Sequence, residues 1–326
     1  MSLIKNKVGT TTTIESSKKK SDIEQTLTEV SLYGCVRHPQ FIIAKEILES
    51  LYKTLPHLFT KSDFNLIPLC DLEYRDFRHK KKKQANIVDN LFPSIIVQVE
   101  KKLKINNNVE KIEHFNLPDF LIYLKKTLPN FNFETEKSEE EYNNEAGILF
   151  LKTLGKLENP LVFVNISIDN LHAGKIIIEL FRDKVPKIVD QFLSFVEPKD
   201  SNGPSYLNTS FSRLVARGWI QGGEIMKVDE EGIEELICEP LVEDENFIVK
   251  HDRRGIISMI NQGPNSNVSA FMILLSEGME YFDKKYVAFG RVLEGEGTLN
   301  NIEMVETRFE RPVKDIKISE IGIYRV

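Results

Sequence analysis

Residues 211–223 read Phe-Ser-Arg-Leu-Val-Ala-Arg-Gly-Trp-Ile-Gln-Gly-Gly. The stretch predicts two short neighbouring β segments that carry Arg213 and Gln221, with a Gly-Gly bend closing the second. An arginine stays charged at any working pH, and a neighbouring amide can fix the direction of its guanidinium fork. Downstream, Glu243-Asp-Glu-Asn-Phe247, Gly263-Pro-Asn-Ser-Asn267 and Ala288-Phe-Gly-Arg-Val292 follow in that order.

Working outward, the flanking residues are patterned as β structure. Val162, Val164, Ile166 and Ile168 alternate with other residues and predict a strand, with Ile176 to Leu180 as its hairpin partner across Asn170–Gly174. Pro186 opens a predicted helix whose Ile188, Val189, Phe192, Leu193 and Val196 fall on one face. A second helix is expected over Asn300–Val305 and a closing strand over Val313–Tyr324.

At 326 residues the chain has room for two ordinary domains, and 41% hydrophobic with 28% charged residues is a globular composition. A net charge of −6 argues against a general nucleic-acid binder. Cys35, Cys70 and Cys238 are odd in number and far apart, so no disulfide framework is expected. No apolar run reaches the length of a membrane span, and no signal-peptide core opens the chain. A reducing compartment is therefore the expectation, cytosol or nucleus or something continuous with them.

On the four motifs above, residues 159–326 resemble the cyclophilins, the family of peptidyl-prolyl cis/trans isomerases. The resemblance implies a closed antiparallel eight-stranded β-barrel capped by two helices. It also implies a proline-containing peptide as ligand, bound with neither cofactor nor metal. Rotation about a peptide bond is resisted by roughly 18–20 kcal/mol, and no bond breaks. The chemistry therefore needs only an apolar pocket and a donor aimed at the prolyl nitrogen in the twisted transition state. Carried over by position, Arg213 resembles the catalytic arginine and Gln221 the amide that orients it. Phe211, Trp219, Asn261, Met272, Tyr281, Phe282 and Tyr286 take substrate-groove positions.

The departures from the family pattern are heavy. Gly218 replaces a pocket phenylalanine, and Met272 replaces the phenylalanine that floors the proline site. Ala270 stands in for a second glutamine, Tyr281 and Tyr286 for a tryptophan and a histidine, and Ser212 and Ala216 for a histidine and a proline. The glycines of the following loop are reduced to Gly232. Losing an aromatic floor and an anchoring amide costs roughly 1–3 kcal/mol each. Two or more decades of rate are then expected to be gone, at about 1.4 kcal/mol per decade. A weak but working isomerase remains the alternative, on the retained Arg213, Gln221 and Asn261.

Residues 1–27, rich in Ser, Thr and Lys, read as a flexible tail. A first domain is expected at 28–130, and an acidic solvated linker with a short helix at 131–158, the helix over Ala146–Leu157. Within 28–130 the pattern predicts strands at Val30–Cys35, Phe64–Leu69 and Ser94–Val99, and helices at Gln40–Leu55, Asp71–Val88 and Leu117–Leu128. That order resembles thioredoxin-like and glutaredoxin-like α/β domains, with Cys35 where their redox cysteine sits and Pro93 where they carry a cis-proline. The fold class expected for the whole chain is thus α+β in two domains. Cys35-Val-Arg-His38-Pro39 lacks a second cysteine, so a two-thiol cycle cannot close; an idle structural thiol and a lone reactive one both fit.

His79-Lys-Lys-Lys-Lys83 reads as a solvated helix end, as a contact for an acidic surface such as that of tubulin, or as a nuclear import signal. The domain combination, with Gly218-Trp-Ile-Gln-Gly-Gly-Glu224 and the late Glu310-Arg-Pro312, resembles a cyclophilin subgroup associated with ciliated cells and regarded as inactive isomerases. That resemblance implies a binding or structural role in the cilium, with tubulin or other axonemal proteins as partners.

Overall fold

The protein is described from a computed structural model, which defines residues 29–85, 95–102, 109–134, 137–200, 203–228, 234–236 and 241–325. The expected tail over 1–27, the bond before Pro93, Gly232 and Cys238 lie outside these residues. The chain divides into two compact units, the first running to Leu69 and resuming at Arg78–Phe150, the second comprising Cys70–Phe77 and Leu151 onward.

In the first unit, β1 (Glu29–Cys35) buries Val30 and Leu32, as alternation requires. Its neighbours are β2 (Phe64–Leu69), parallel to it, and β3 (Ile95–Lys102), antiparallel; β4 (Val109–Phe115) pairs antiparallel with β3. Sheet order is β2-β1-β3-β4. Helix α1 (Pro39–Thr54) starts with Pro39 in its first turn behind His38, whose Nδ1 accepts the Gln40 amide at 3.3 Å. Phe41, Ala44, Ile47, Leu48 and Leu51 are buried on its apolar stripe. Helix α2 covers Asp71–Ala85, and α3 (Leu117–Thr127) is capped by Asn116, which accepts the Asp119 amide at 2.8 Å. In the basic cluster, Lys81 donates to Gln98 Oε1 at 2.7 Å and lies over the Tyr33 ring, so it packs on the sheet.

The acidic stretch expected as a solvated linker is mostly helical: α4 spans Glu139–Leu154. The reason is a capping box, in which the Ser138 amide and hydroxyl donate to Glu141 and the Glu141 amide donates back to Ser138 Oγ. Glu139, Glu140 and Glu141 sit at the positive end of the helix dipole. Tyr142 and Ala146 are buried in the first unit's core, and Tyr142 donates to Glu46 at 2.8 Å.

The second unit begins with a hairpin of β5 (Leu161–Ile168) and β6 (Leu171–Leu180), then α5 (Pro186–Val196). Next come β7 (Arg213–Val215), β8 (Trp219–Gly222), and a ribbon of β9 (Met226–Val228) and β10 (Glu234–Leu236). Then follow β11 (Ile256–Asn261), β12 (Asn267–Leu274), β13 (Ala288–Glu294) and α6 (Glu296–Glu303). A short hairpin, β14 (Thr307–Arg308) and β15 (Arg311–Pro312), precedes β16 (Ile316–Ile323). Eight of these strands form one antiparallel, barrel-like sheet in the order β16-β5-β6-β13-β11-β12-β8-β7. Its concave side holds the core, including Phe192, Tyr206, Phe271 and Phe289. The Glu243–Phe247 motif has a structural task here: Glu245 accepts the Lys187 and Ile188 amides at 3.1 and 2.9 Å, capping α5 from 58 residues away. Among the described residues no helix is long and apolar enough to cross a membrane.

Among the boundaries that differ from expectation, two involve glycines. The β5–β6 turn is tighter than Asn170–Gly174: Asp169 and Asn170 alone turn the chain, both at positive φ (52° and 63°). Gly174 lies inside β6, where an added Cβ would collide with Thr298 of α6. The last helix starts at Glu296, four residues before the expected Asn300, because Gly295 at φ 118° lets the chain enter it directly.

Gly174→Ala is therefore expected to lower unfolding free energy by about 1–3 kcal/mol through the clash and the positive φ of 140°. Thr298→Ala should recover part of it. Urea unfolding of both variants checks this, and no recovery would mean that the close approach of α6 is not the cause.

Candidate functional site

β7 and β8 are joined by a tight turn in which Arg217 has φ 56° and the Gly218 amide donates to Val215 O at 2.9 Å. The register pairs Arg213 with Gln221, Leu214 with Ile220 and Val215 with Trp219. Alternation then sends Leu214 and Ile220 into the core and leaves Arg213, Trp219 and Gln221 on the outer face. β12 continues that face, with Met272 opposite Gln221 and Leu274 opposite Trp219.

Trp219 packs edge-on to Phe282, with ring centroids 5.0 Å apart and planes at 82°. Phe282 meets Tyr286 at 5.3 Å and Tyr281 at 4.4 Å, over Met272, Leu274, Ile256 and Ala288. Tyr281 is half exposed and donates its hydroxyl to Met279 Sδ at 3.0 Å. The expected groove positions Trp219, Met272, Tyr281, Phe282 and Tyr286 thus come together. Phe211 does not join them: it is 3% exposed and belongs to the inner core, 6.1 Å from Phe271. Asn261, at the end of β11, donates from Nδ2 to Lys285 O at 2.7 Å.

The polar partners differ from expectation. Arg213 and Gln221 are neighbours by register, yet the amide does not hold the guanidinium. Gln221 donates instead to Glu224 Oε1 at 3.0 Å, which also accepts the Ser212 hydroxyl at 2.8 Å. Arg213 donates from Nε and Nη2 to Glu310 Oε2, both at 2.7 Å, and lies over Trp219 with Cζ 5.4 Å from the ring centroid. Charge explains the choice: a carboxylate in reach outcompetes a neutral amide for a cation. Glu310 is brought there by the β14–β15 hairpin, whose tip residues Phe309 and Glu310 both have positive φ (49° and 65°). The Leu214 amide bonds to Glu310 O at 2.7 Å and fixes that tip to β7. Arg213, Gln221 and Glu310 line a cleft of about 680 Å³ with Phe309, Arg311, Pro312, Val313 and Lys314.

Beneath the aromatic cluster lies a network that the sequence did not disclose. His251 Nδ1 is 2.9 Å from Asp283 Oδ1, and Nε2 is 2.7 Å from Ser258 Oγ. The spacing is that of a hydrolytic Ser-His-Asp triad, but His251 and Ser258 are both fully buried, so no substrate reaches the hydroxyl. The network holds the segment bearing Phe282, which packs on His251 at 5.8 Å. Burial pushes the His251 imidazole below its ordinary pKa, against the pull of Asp283. Burial also raises Asp283, but hydrogen bonds from His251 and Lys250 outweigh it and hold the carboxyl below the usual range.

Cys35 sits in the first unit, at the end of β1, as a half-buried cysteine outside any disulfide. Among the described residues no group of three or more His, Cys, Asp or Glu is placed to hold a metal ion.

A family model described as cyclophilin type peptidyl-prolyl cis-trans isomerase/CLD matches residues 163–323. A Bos taurus protein named probable inactive peptidyl-prolyl cis-trans isomerase-like 6 is 32% identical over 309 residues, 93% of this chain and 95% of its own. The Homo sapiens protein of the same name is 32% identical over 300 residues, 90% of each chain. Peptidyl-prolyl cis-trans isomerase H of Rhizopus delemar is 38% identical over 175 residues, 52% of this chain and 98% of its own.

A histidine held below its unfolded pKa of about 6.5 takes up its proton only on unfolding. The stability that neutral His251 contributes is whole above that pH and is lost as the pH falls through it. Urea unfolding between pH 8 and pH 5 is expected to show this loss, with a shallower slope in His251→Gln. Some slope should remain, since burial also lowers His38 and His114. An unchanged slope would assign the acid sensitivity to other groups.

Proposed function

The chain belongs to the cyclophilin-type peptidyl-prolyl cis-trans isomerase family, and from that premise we propose that its second unit binds a proline-containing segment with little or no isomerase turnover. The observation that carries the reading is the Arg213–Glu310 pair. The donor that should meet a twisting prolyl nitrogen points its Nε and Nη2 at a carboxylate, and Gln221 has turned to Glu224. Two losses compound this: Met272 gives a softer floor than an aromatic ring, and buried Ala270 offers no amide. The domain is a degenerate cyclophilin, and the Bos taurus and Homo sapiens relatives, which match along nine-tenths of the chain, carry the word inactive in their names. What survives is the binding half of the site, an apolar cluster under Trp219 with a cation at its edge.

The architecture we propose is a closed barrel. Asn208, Phe211 and Ile318 make backbone hydrogen bonds of 2.7–3.0 Å that tie the segment before β7 to β16, the opposite end of the sheet order. For the first unit we propose a thioredoxin-like domain, supported by the order β2-β1-β3-β4 with β1 and β2 parallel. The Cys35-Val-Arg-His38 sequence, without a second cysteine at redox-motif spacing, argues for a structural use of that fold. The setting we propose is the cilium, with tubulin or another axonemal protein as partner. Its support is the subgroup resemblance, and co-sedimentation with microtubules tests it.

The active-isomerase alternative rests on the cross-strand register of Arg213 and Gln221, which the pocket keeps. An exchange assay on a proline peptide decides. Wild type and Arg213→Ala are expected to run alike, close to the uncatalysed exchange of tens to hundreds of seconds. Turnover well above background that disappears in Arg213→Ala would overturn the binding reading in favour of the enzyme.

A further inference from the structure

The Arg213 guanidinium lies between two spaces: its face rests on Trp219, and its Nε–Nη2 edge opens on the cleft of about 680 Å³. The edge is the part that recognises ligands, and the chain itself supplies what it takes there, the carboxylate of Glu310. Both side chains of this pair are about half exposed, 46% and 49%. Such a pair favours the closed form by a factor of about five at most. Glu310 can therefore swing away at little cost, while the hairpin backbone stays bonded to β7 through Leu214.

The charges around the cleft say what would replace it. Five charged residues line it: Arg213, Arg311 and Lys314 against Glu310 and Asp315. Asp315 is already paired with Lys317 and accepts the Ser210 hydroxyl. Among the described residues neither Arg311 nor Lys314 has a carboxylate partner. With Glu310 displaced, the cleft presents three cations, rimmed by Phe309, Pro312 and Val313, with Phe309 fully exposed at the hairpin tip.

We infer that this cleft binds an acidic peptide segment, whose Asp or Glu side chain takes the place of Glu310 on Arg213. Glu310 is its internal occupant, and Arg311 and Lys314 add charge to the site. The inference rests on the binding reading above only in sharing Arg213.

Trp219 is the single tryptophan of the chain, so its fluorescence reports on this site. The probes are hexapeptides holding one proline, with Glu one, two or three places from it, each matched by a Gln counterpart. At low salt the best Glu peptide is expected to bind the full chain at least threefold more tightly than its Gln counterpart. In Glu310→Gln the gap should widen by up to about fivefold. In Lys314→Gln it should narrow, and in Arg213→Ala or at high salt it should close. No preference for Glu over Gln in Glu310→Gln overturns the inference. If neutral proline peptides still bind in that case, the binding reading stands alone; if acidic peptides bind and neutral ones do not, the inference stands and the binding reading falls.

Discussion

No Cβ fits at Gly222 or Gly223. At the first it would stand 2.7 Å from the Phe211 ring, and at the second, where φ is 74°, 2.6 Å from Phe271. The two missing side chains let Phe211, Phe271, Tyr206 and Phe192 interlock, Tyr206 and Phe271 at 5.4 Å and Phe192 and Phe271 at 5.5 Å. That aromatic layer seats β8 against β12 in one register. Strand alternation does the rest, since a slip of one residue would exchange Ile220 for Trp219 and Gln221 across the sheet. The outer site is thus addressed from the inside, and Arg213 is carried to its place by residues that never touch a ligand.

This division explains what the sequence could disclose. Positions along a strand are local information, so the motif alone places Arg213 and Gln221 on neighbouring β segments, whereas Trp219, Met272 and Tyr286 are reached only through the family resemblance. The choice of a side-chain partner is not local. Glu310 lies 97 residues from Arg213, and Asp283 lies 32 from His251. The Glu310-Arg-Pro312 stretch drew notice only as a mark of family likeness, and nothing in its spacing says that a hairpin folds it onto β7.

Other misreadings had local signals that were outweighed. Ser138-Glu-Glu-Glu141 spells a capping box, but the density of acidic residues suggested solvated linker. Carboxylates that repel one another in an open chain gain when gathered at a helix N-terminus, and buried Tyr142 and Ala146 supply the apolar face. Gly174 reads as part of a turn because glycine punctuates, whereas Asp169 and Asn170 accept positive φ and turn the chain alone. Gly174 serves the packing of α6 instead.

Energetics separate what disabled the site from what reshaped it. An exposed ion pair is worth at most about 1 kcal/mol, less than one decade of rate. On the proposed reading the Glu310 contact redirects the donor edge, and the softer floor at Met272 and the missing amide at Ala270, at roughly 1–3 kcal/mol each, supply the larger share of the lost turnover. On that reading the guanidinium over Trp219 has little left to stabilise in a transition state, yet it keeps its full charge. On the proposed reading, a residue in that condition serves recognition in place of catalysis. The hairpin that lends it Glu310 holds that charge with an exposed pair, worth at most about 1 kcal/mol.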